Sequence, residues 1–393
     1  MLSVLIIGTG GIARVHAEAY RNMEKSVRIR GIVDTDLARA EKFARTYELT
    51  DTPGFSLYSD YREALAKGSF DLVSICTPPP FHCSMSIDSL NAGAHVLIEK
   101  PMALSLEECD RILEAAQKTG RRVSVMAQNR YDTSKARIHR LISEGHCGRV
   151  LYAQAYSAWW RGTAYYNTWH GSWETEGGGC ALNLAIHQID LLLWLAGSVG
   201  EVTAFTANVN HSSAEVEDLA LGIVRFNSGA AAGGLGEILG STVHHGEGQQ
   251  LLFQTERAGL AFPFQIKATR SRAGGFPEDD PETVAELTAL CNSFPPLAVE
   301  WFEGQIRDFV SLIETGAASP FLSDGNSARA AIEVVMALYK SAATQRSVSL
   351  PLSLDDPFYT RAGLLEHALH YNRRVLSNLR GNAAEGVGSN AYP

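Results

Sequence analysis

The sequence predicts an α/β N-terminal domain on a parallel sheet, joined to an α+β domain built on a large, mostly antiparallel open sheet. Three observations predict it. Over the first 127 residues short apolar runs alternate with helical patterns, the rhythm of a parallel sheet with right-handed crossovers. A glycine-rich turn follows the first of these runs. Farther on, the extended runs lengthen, and Asn227-Ser228-Gly229 separates two of them as a hairpin turn would.

The elements follow in order. Residues 4–7 form a continuous apolar run, as a strand covered on both faces should. Residues 12–23 read as a helix, 28–33 as a strand, 38–47 and 59–66 as helices, and 72–76 as a strand. Then come a helix at 82–91, a strand at 95–98, a helix at 106–118 and a strand at 123–126. In the second half, 134–143 and 180–195 are helical patterns. Extended runs cover 150–160, 201–211, 219–226, 230–238 and 249–255, with late helices at 299–314 and 327–344. The Pro/Gly/acid-rich stretch 273–282 reads as a loop, and so does the region of His244-His245. The expected division is 1–127, 128–352 and a C-terminal extension at 353–393. The tail after Arg380 is rich in small and polar residues and is expected to carry little structure.

Composition narrows the function. At 393 residues and 45% hydrophobic, the chain has material for two domains with sizeable cores. The net charge is -9 without any Lys/Arg block, which argues against a nucleic-acid partner. No apolar run approaches a membrane span, and no targeting signal is visible, so the expected location is the cytoplasm. The six cysteines are irregularly spaced and read as reduced thiols rather than metal ligands. Adjacent histidines at 244–245, with no carboxylate or thiol set beside them, are weak evidence for a metal, and none is expected.

Gly8-Thr9-Gly10-Gly11-Ile12-Ala13 fits the dinucleotide-binding pattern G-x-G-x-x-G/A and stands between an apolar strand and a helix. Gly8 makes the tight turn, Gly10 lets a diphosphate approach the backbone, and Ala13 lets helix and strand pack closely. The helix N-terminus then faces the phosphates. Asp34 ends the second strand, where a carboxylate binds the ribose diol and repels a 2′-phosphate. With no arginine adjacent to Asp34-Thr35, NAD is favoured over NADP. The N-terminal domain is therefore expected to be a Rossmann domain. The later glycines from Gly229 to Gly240 lie in an extended region and read as sheet glycines.

Two further segments stand out. Lys100, in Glu99-Lys100-Pro101, follows the strand 95–98, and ligands of open α/β sheets sit beyond the carboxyl ends of strands. After Gly177-Gly178-Gly179, the polar residues Asn183, His187 and Asp190 share one face of an otherwise apolar helix. Asp190 is expected to be structural. An imidazole titrating near neutrality suits proton transfer, and an ammonium can stabilise an alkoxide. His187 is thus the expected base and Lys100 its electrostatic partner, with exchanged or shared roles left open. Trp159-Trp160-Arg161, Tyr165-Tyr166 and Trp169-His170 form an aromatic-rich run before the glycine turn. Core packing competes with substrate contact for each of these aromatics. Arg130-Tyr131, after the strand 123–126, is another strand-end candidate.

Together Gly8–Ala13, Cys76-Thr77-Pro78-Pro79-Pro80-Phe81-His82, Glu99-Lys100-Pro101, Gly177-Gly178-Gly179…Asn183…His187…Asp190 and Gln305-Ile306-Arg307-Asp308-Phe309 resemble the glucose–fructose oxidoreductase / inositol dehydrogenase (Gfo/Idh/MocA) family. The resemblance covers about residues 1–352. It implies an NAD-dependent oxidoreductase acting on a carbohydrate or cyclitol, with assembly into a homodimer or homotetramer through the free face of the C-terminal sheet. It implies Lys100 and His187 as the catalytic pair. Asn183 stands where many members carry aspartate. Thr77, Pro78, His82, Glu99 and Gln128 are implied cofactor contacts, and Tyr131, Trp160, Arg161 and Tyr166 candidate substrate contacts. Redox-assisted glycoside cleavage or epimerisation with retained NAD remains open, as does a non-enzymatic NAD sensor, against which the intact Lys100 and His187 argue.

Overall fold

The computed structural model describes residues 1–317 and 319–372. The N-terminal part runs β1 (Leu2–Ile7), α1 (Ala13–Arg21), β2 (Val27–Val33), α2 (Leu37–Thr46), β3 (Ser56–Tyr58), α3 (Tyr61–Lys67), β4 (Leu72–Ile75), α4 (His82–Asn91), β5 (His95–Ile98), α5 (Leu106–Thr119) and β6 (Val123–Val125). Its six strands are all parallel, in the order β3-β2-β1-β4-β5-β6. This is the Rossmann order, with a switch point between β1 and β4. Helices cover both faces, so β4 is buried throughout and β1 from Val4 onward, which explains their continuous apolar runs.

The chain continues through α6 (Thr133–Ser143), β7 (Val150–Trp160), α7 (Ile186–Ala196), β8 (Val199–Ala207), β9 (Leu219–Phe226), β10 (Leu235–Ser241), β11 (Val243–Thr255), β12 (Gly259–Phe262) and β13 (Gln265–Lys267). It ends with β14 (Thr269–Ser271), β15 (Pro277–Asp279), α8 (Pro281–Ser293), α9 (Trp301–Thr315), α10 (Gly325–Thr344), β16 (Val348–Ser349) and α11 (Arg361–His367). The second sheet has eight strands in the order β13-β12-β11-β7-β10-β9-β8-β16. All pairs are antiparallel except β7–β10. Along β9 burial alternates strictly, with Ala220, Val224 and Phe226 inward and Leu221, Ile223 and Arg225 outward. Helices α7 and α10 pack on the inward face; Leu338 of α10 sits over Gly222, where a side chain would collide with it. The outward face carries Phe205, Leu221, Ile223 and Leu235, all exposed.

Helix α9 returns to the first domain. Ile306, Phe309 and Val310 pack with Val4, Ile6 and Ala17. Gln305, fully buried, accepts from the Ala127 amide (2.7 Å) and donates to the Val125 carbonyl (2.7 Å). The Gln305–Phe309 stretch therefore pins the late chain to the end of β6.

Several expected elements are corrected. The run 230–238 is a 3₁₀ turn at Gly229–Ala231 followed by β10 from Leu235, and β10 lies antiparallel to β9. His244 and His245 lie in β11, not in a loop; this first part of the strand is exposed, so its polar sequence hid it. The expected loop 273–282 contains β15, paired with β14, and the start of α8, where Asp280 accepts from the Thr283 amide ahead of Pro281. Strand β8 ends at Ala207 rather than 211, because the Asp218 carboxylate draws the Val209 and Asn210 amides into a turn. Of the expected C-terminal extension, residues 353–372 include α11 and bury Phe358, Tyr359 and Leu364. The tail after Arg380 lies outside the described residues.

Candidate active site

The carboxyl ends of β1, β2, β4, β5 and β6 converge on one edge of the Rossmann sheet. Gly8 has φ +91°, and a β-carbon there would stand 2.7 Å from the Cys76 carbonyl oxygen. Only glycine fits that turn. At Gly10 a β-carbon would meet nothing within 4 Å, because the residue faces open space in front of α1. Gln128 adds a buried side-chain oxygen without a hydrogen-bond partner. A cradle at a helix N-terminus and an orphaned acceptor at the next strand end fit a dinucleotide with an amide-bearing ring.

Asp34 is buried at the end of β2, and its carboxylate is fully engaged. It accepts from the Thr9 amide (2.9 Å) and hydroxyl (2.5 Å) and from the Asp36 amide (2.9 Å). Arg39 of α2 donates to both oxygens, at 3.0 and 2.5 Å. Burial raises the carboxyl pKa, but the bonds from Arg39, Thr9 and Asp36 outweigh it and hold the group below its ordinary value. The absence of an adjacent arginine in sequence was thus misleading. One turn of helix brings Arg39 onto the acid from five residues away.

Lys100 ends β5. Its ammonium donates to the Asn183 carbonyl (2.8 Å) and to Asn183 Oδ1 (3.1 Å). Burial lowers its pKa, Glu99 and Glu176 oppose this, and Arg161 reinforces it. Asn183 lies in a π-helical turn, Ala181–Ala185, that leads into α7. Such turns re-aim side chains and recur at functional sites. His187, on the first turn of α7, makes no hydrogen bond with the described residues. Burial, then the charges of Lys100 and Lys135, push its pKa down to about 3. Where the sequence reading expects a group titrating near neutrality, burial and the two cations favour the neutral imidazole.

The aromatic run folds over Asn183. Tyr165 stacks on His170 at 3.9 Å between ring centroids, and Trp169 lies 3.7 Å from the same imidazole. Arg161 stands over Trp159 and Tyr165 and pairs with Glu247. Trp160 is exposed. The loop is anchored below by Glu217, fully buried, which accepts from the Gly179 and Ala181 amides (2.9 Å each) and the Tyr339 hydroxyl (3.0 Å). Burial raises the Glu217 pKa to about 7 despite those bonds. Gly178 adopts φ +156°, with the Tyr339 hydroxyl where a β-carbon would be.

Three expected contacts lead elsewhere. Tyr131 is buried, with its hydroxyl donating to Asp308 of α9 (2.9 Å), so it joins the domains rather than reading substrate. Tyr166 is buried on His211 and shares a 2.8 Å hydrogen bond with Thr242, and packing explains it. Both His82 nitrogens face backbone carbonyls, of Thr77 (2.7 Å) and Pro101 (2.8 Å). The ring braces the two strand-end loops, and no ring nitrogen is left for a direct cofactor contact. Glu99 is nearly as enclosed, paired with His16 at 2.9 Å. Thr77 and Pro78 follow β4 beside Gly8, whose β-carbon position lies 3.1 Å from the Thr77 methyl. Asp190, expected to be structural, forms a buried bidentate pair with Arg130 (2.8 and 2.6 Å). Sequence reasoning missed Glu176, buried immediately before the triple glycine, and saw His170 only as part of the aromatic run. An acid directly ahead of Gly177, six residues after a histidine, was the available signal.

A parallel sheet with a glycine cradle at its switch point, facing a lysine and a histidine across to a second sheet, defines an NAD-binding oxidoreductase. The family described as an oxidoreductase family with an NAD-binding Rossmann fold matches residues 2–127, and the GFO/IDH/MocA C-terminal domain matches residues 136–260. The chain belongs to the GFO/IDH/MocA family, and its cofactor is NAD. It is 30% identical over 212 residues to a 1-carboxy-3-chloro-3,4-dihydroxycyclohexa-1,5-diene dehydrogenase of Comamonas testosteroni, covering 53% of this chain and 51% of that protein. It is 25% identical over 244 residues to D-glucoside 3-dehydrogenase of Escherichia coli, covering 58% and 68%. The chain thus spans about half the length of the first of these. Among solved structures, the WlbA dehydrogenase of Chromobacterium violaceum, in complex with NADH and UDP-GlcNAcA, superposes with a TM-score of 0.75 at 25% identity, over 90% of this chain and 96% of that one. No helix among the described residues is long and apolar enough to cross a membrane.

Proposed function

We propose that the protein oxidises a secondary hydroxyl of a sugar, sugar derivative or cyclitol, with NAD preferred over NADP. The observation that carries this reading is the Lys100 ammonium, held by Asn183 just beyond the end of β5, near a His187 that makes no hydrogen bond with the described residues. Bound NAD supplies the hydride acceptor. Gly8, Thr9, Gly10, Gly11, Ile12 and Ala13 would hold its diphosphate, Asp34 its adenosine ribose, and Gln128 its nicotinamide amide, with Thr77 and Pro78 alongside. Lys100 donates to the reacting oxygen and stabilises the alkoxide that develops as the C–H bond breaks. His187 accepts a hydrogen bond from the hydroxyl and orients it. Arg161 and the exposed Trp160 and Trp169 supply donors and apolar faces for a carbohydrate ring. The dehydrogenase names of the relatives, on a cyclohexadiene diol and a glucoside, support a cyclic carbinol as substrate. Assembly through the outward face of the eight-stranded sheet belongs to the same reading, since Phe205, Leu221, Ile223 and Leu235 form an exposed apolar set there.

Incubation with NAD and a panel of sugars, glycosides, sugar acids and inositols tests the activity. NADH accumulating with at least one of them is expected. Product without net NADH would instead indicate a cycle in which NAD is retained.

A further inference from the structure

We propose that Arg161 binds a carboxylate of the substrate, so that the carbinol oxidised belongs to an acidic sugar or cyclitol derivative. This rests on the hydride-transfer reading above and narrows its substrate class. The reacting hydroxyl meets Lys100 and His187; the carboxylate is a separate group of the same molecule and takes no part in the transfer.

A guanidinium carries five N–H donors. Arg161 uses two of them, both on Nη1, which donates to the Trp160 carbonyl (2.7 Å) and to Glu247 (2.5 Å). Nε and Nη2 make no hydrogen bond with the described residues, although the side chain is only 23% exposed. Those two atoms form the side-on edge whose parallel N–H bonds match the two oxygens of a carboxylate. The guanidinium stands over Trp159 (4.9 Å) and Tyr165 (5.7 Å to the ring centroid), so its plane is held. Glu247 is half-exposed, and water screens its charge, so the free edge stays electropositive. Tyr165 connects this edge to the reacting centre. Its hydroxyl accepts from Asn183 Nδ2 (2.8 Å), and Asn183 Oδ1 accepts from the Lys100 ammonium (3.1 Å). One ring and one amide thus separate the two cations, and Arg161 helps to lower the Lys100 pKa. In the empty site the two positive groups repel each other, and an anionic substrate group between them relieves that repulsion.

The main chain of Arg161 is held as firmly as its side chain. Its amide donates to the Thr242 carbonyl (2.9 Å), and its carbonyl accepts from His211 Nε2 (2.7 Å). His211 is buried, and its Nδ1 faces the Asp218 carboxylate at 2.9 Å. That carboxylate also accepts from the Val209 and Asn210 amides (2.8 and 2.9 Å), and these bonds with the one from His211 hold its pKa below the ordinary value. Both ring nitrogens of His211 therefore face acceptors, and only the imidazolium can donate to both. Burial lowers the His211 pKa, but Asp218 and the Arg161 carbonyl outweigh it and raise it. Tyr166 packs 4.5 Å from the ring and turns its hydroxyl to Thr242. A buried ion pair thus fixes the end of β7, and the free edge of Arg161 is in place before the substrate arrives. His211 is a positioning residue, acting on the substrate only through Arg161.

Calorimetric titration of the NADH-bound protein tests this without turnover. Glucuronate, galacturonate and quinate are each compared with their neutral amides. At least one acid should bind about 10–100-fold more tightly than its amide, the worth of a charge-assisted hydrogen bond. Arg161→Gln should bring that ratio close to one, and Arg161→Lys, which keeps the charge but lacks the fork, should leave it in between. In turnover of the favoured acid, His211→Phe should raise KM with kcat changed far less. Side-chain nitrogen NMR of the wild-type protein at pH 7 should show His211 protonated on both nitrogens; a singly protonated ring would overturn the brace. If no acid binds more tightly than its amide, or if Arg161→Gln keeps the wild-type ratio, Arg161 is only a latch for Glu247 and the proposal fails. A protein that binds an acid through Arg161 yet yields no NADH with any carbinol would sink the hydride-transfer reading instead, so the two failures are distinct.

Discussion

At the scale of single residues, the proposed preference for NAD rests on two side chains rather than one. Asp34 accepts from the ribose diol only by exchanging one of the bonds it already makes, and Arg39 both neutralises its charge and holds both its oxygens. The preference for NAD should therefore come mostly from hydrogen bonding and only weakly from repulsion of a 2′-phosphate. Arg39→Ala is expected to widen the NAD-over-NADP ratio in a binding titration, whereas Asp34→Ala should narrow or reverse it. A ratio unmoved by either substitution would place the adenosine ribose elsewhere. His187 carries a second expectation. Its folded pKa of about 3 lies below the 6.5 of the unfolded chain. Between those values the unfolded chain binds the extra proton and the folded protein does not. Its contribution to stability is complete above pH 6.5 and is lost as pH falls towards 3. In urea melts, His187→Gln should flatten the fall in stability across that window. An equal slope in the two proteins would mean that His187 titrates normally. The sequence showed Lys100, Asn183 and His187 because each breaks an apolar or strand-end pattern. It could not show that burial and two lysines lower the His187 pKa, because Lys135 comes from a different helix.

At the scale of elements, the glycine motif separates folding from binding. Gly8 is demanded by its backbone angle and by the Cys76 carbonyl, whereas Gly10 is demanded only by what approaches it. Gly8→Ala should destabilise the fold by about 1–3 kcal/mol or more. Gly10→Ala should melt like the wild type yet lose most NADH affinity in a fluorescence titration. Similar losses of stability in both variants would refute the cradle. The elements of the Rossmann half were legible, with β3 the main omission, because each strand is covered on two faces and writes a continuous apolar run. The later half was less legible. The first part of β11 is exposed and polar, β15 pairs only with its neighbour, and α8 buries just Leu287 and Cys291. None of these has a strong period to read. Tyr131 and Tyr166 were misread for a related reason: a tyrosine at a strand end looks the same whether its hydroxyl meets a substrate or, as here, Asp308 or Thr242.

At the scale of the whole molecule, the eight-stranded sheet has one face under helices and one face bare. Leu221 stands opposite Phe205 on β8, and Ile223 is 60% exposed. An apolar face of this kind on a folded chain is expected to be covered by a second copy. Ile223→Lys should shift the particle to a smaller mass in light scattering while leaving the Rossmann half able to bind NADH; an unchanged mass would move the interface elsewhere. The central claim concerns the face between the two domains, where Lys100 meets Asn183. Deuterium transfer tests it most directly. A substrate from the active panel, deuterated at its carbinol carbon, is reacted with one equivalent of NAD, and the reduced cofactor is recovered and weighed by mass spectrometry. The account predicts one deuterium in the reduced cofactor with the wild-type protein, and a rate about 10²–10⁴-fold slower with Lys100→Met. Reduced cofactor without deuterium, or transfer at the wild-type rate in Lys100→Met, would contradict it.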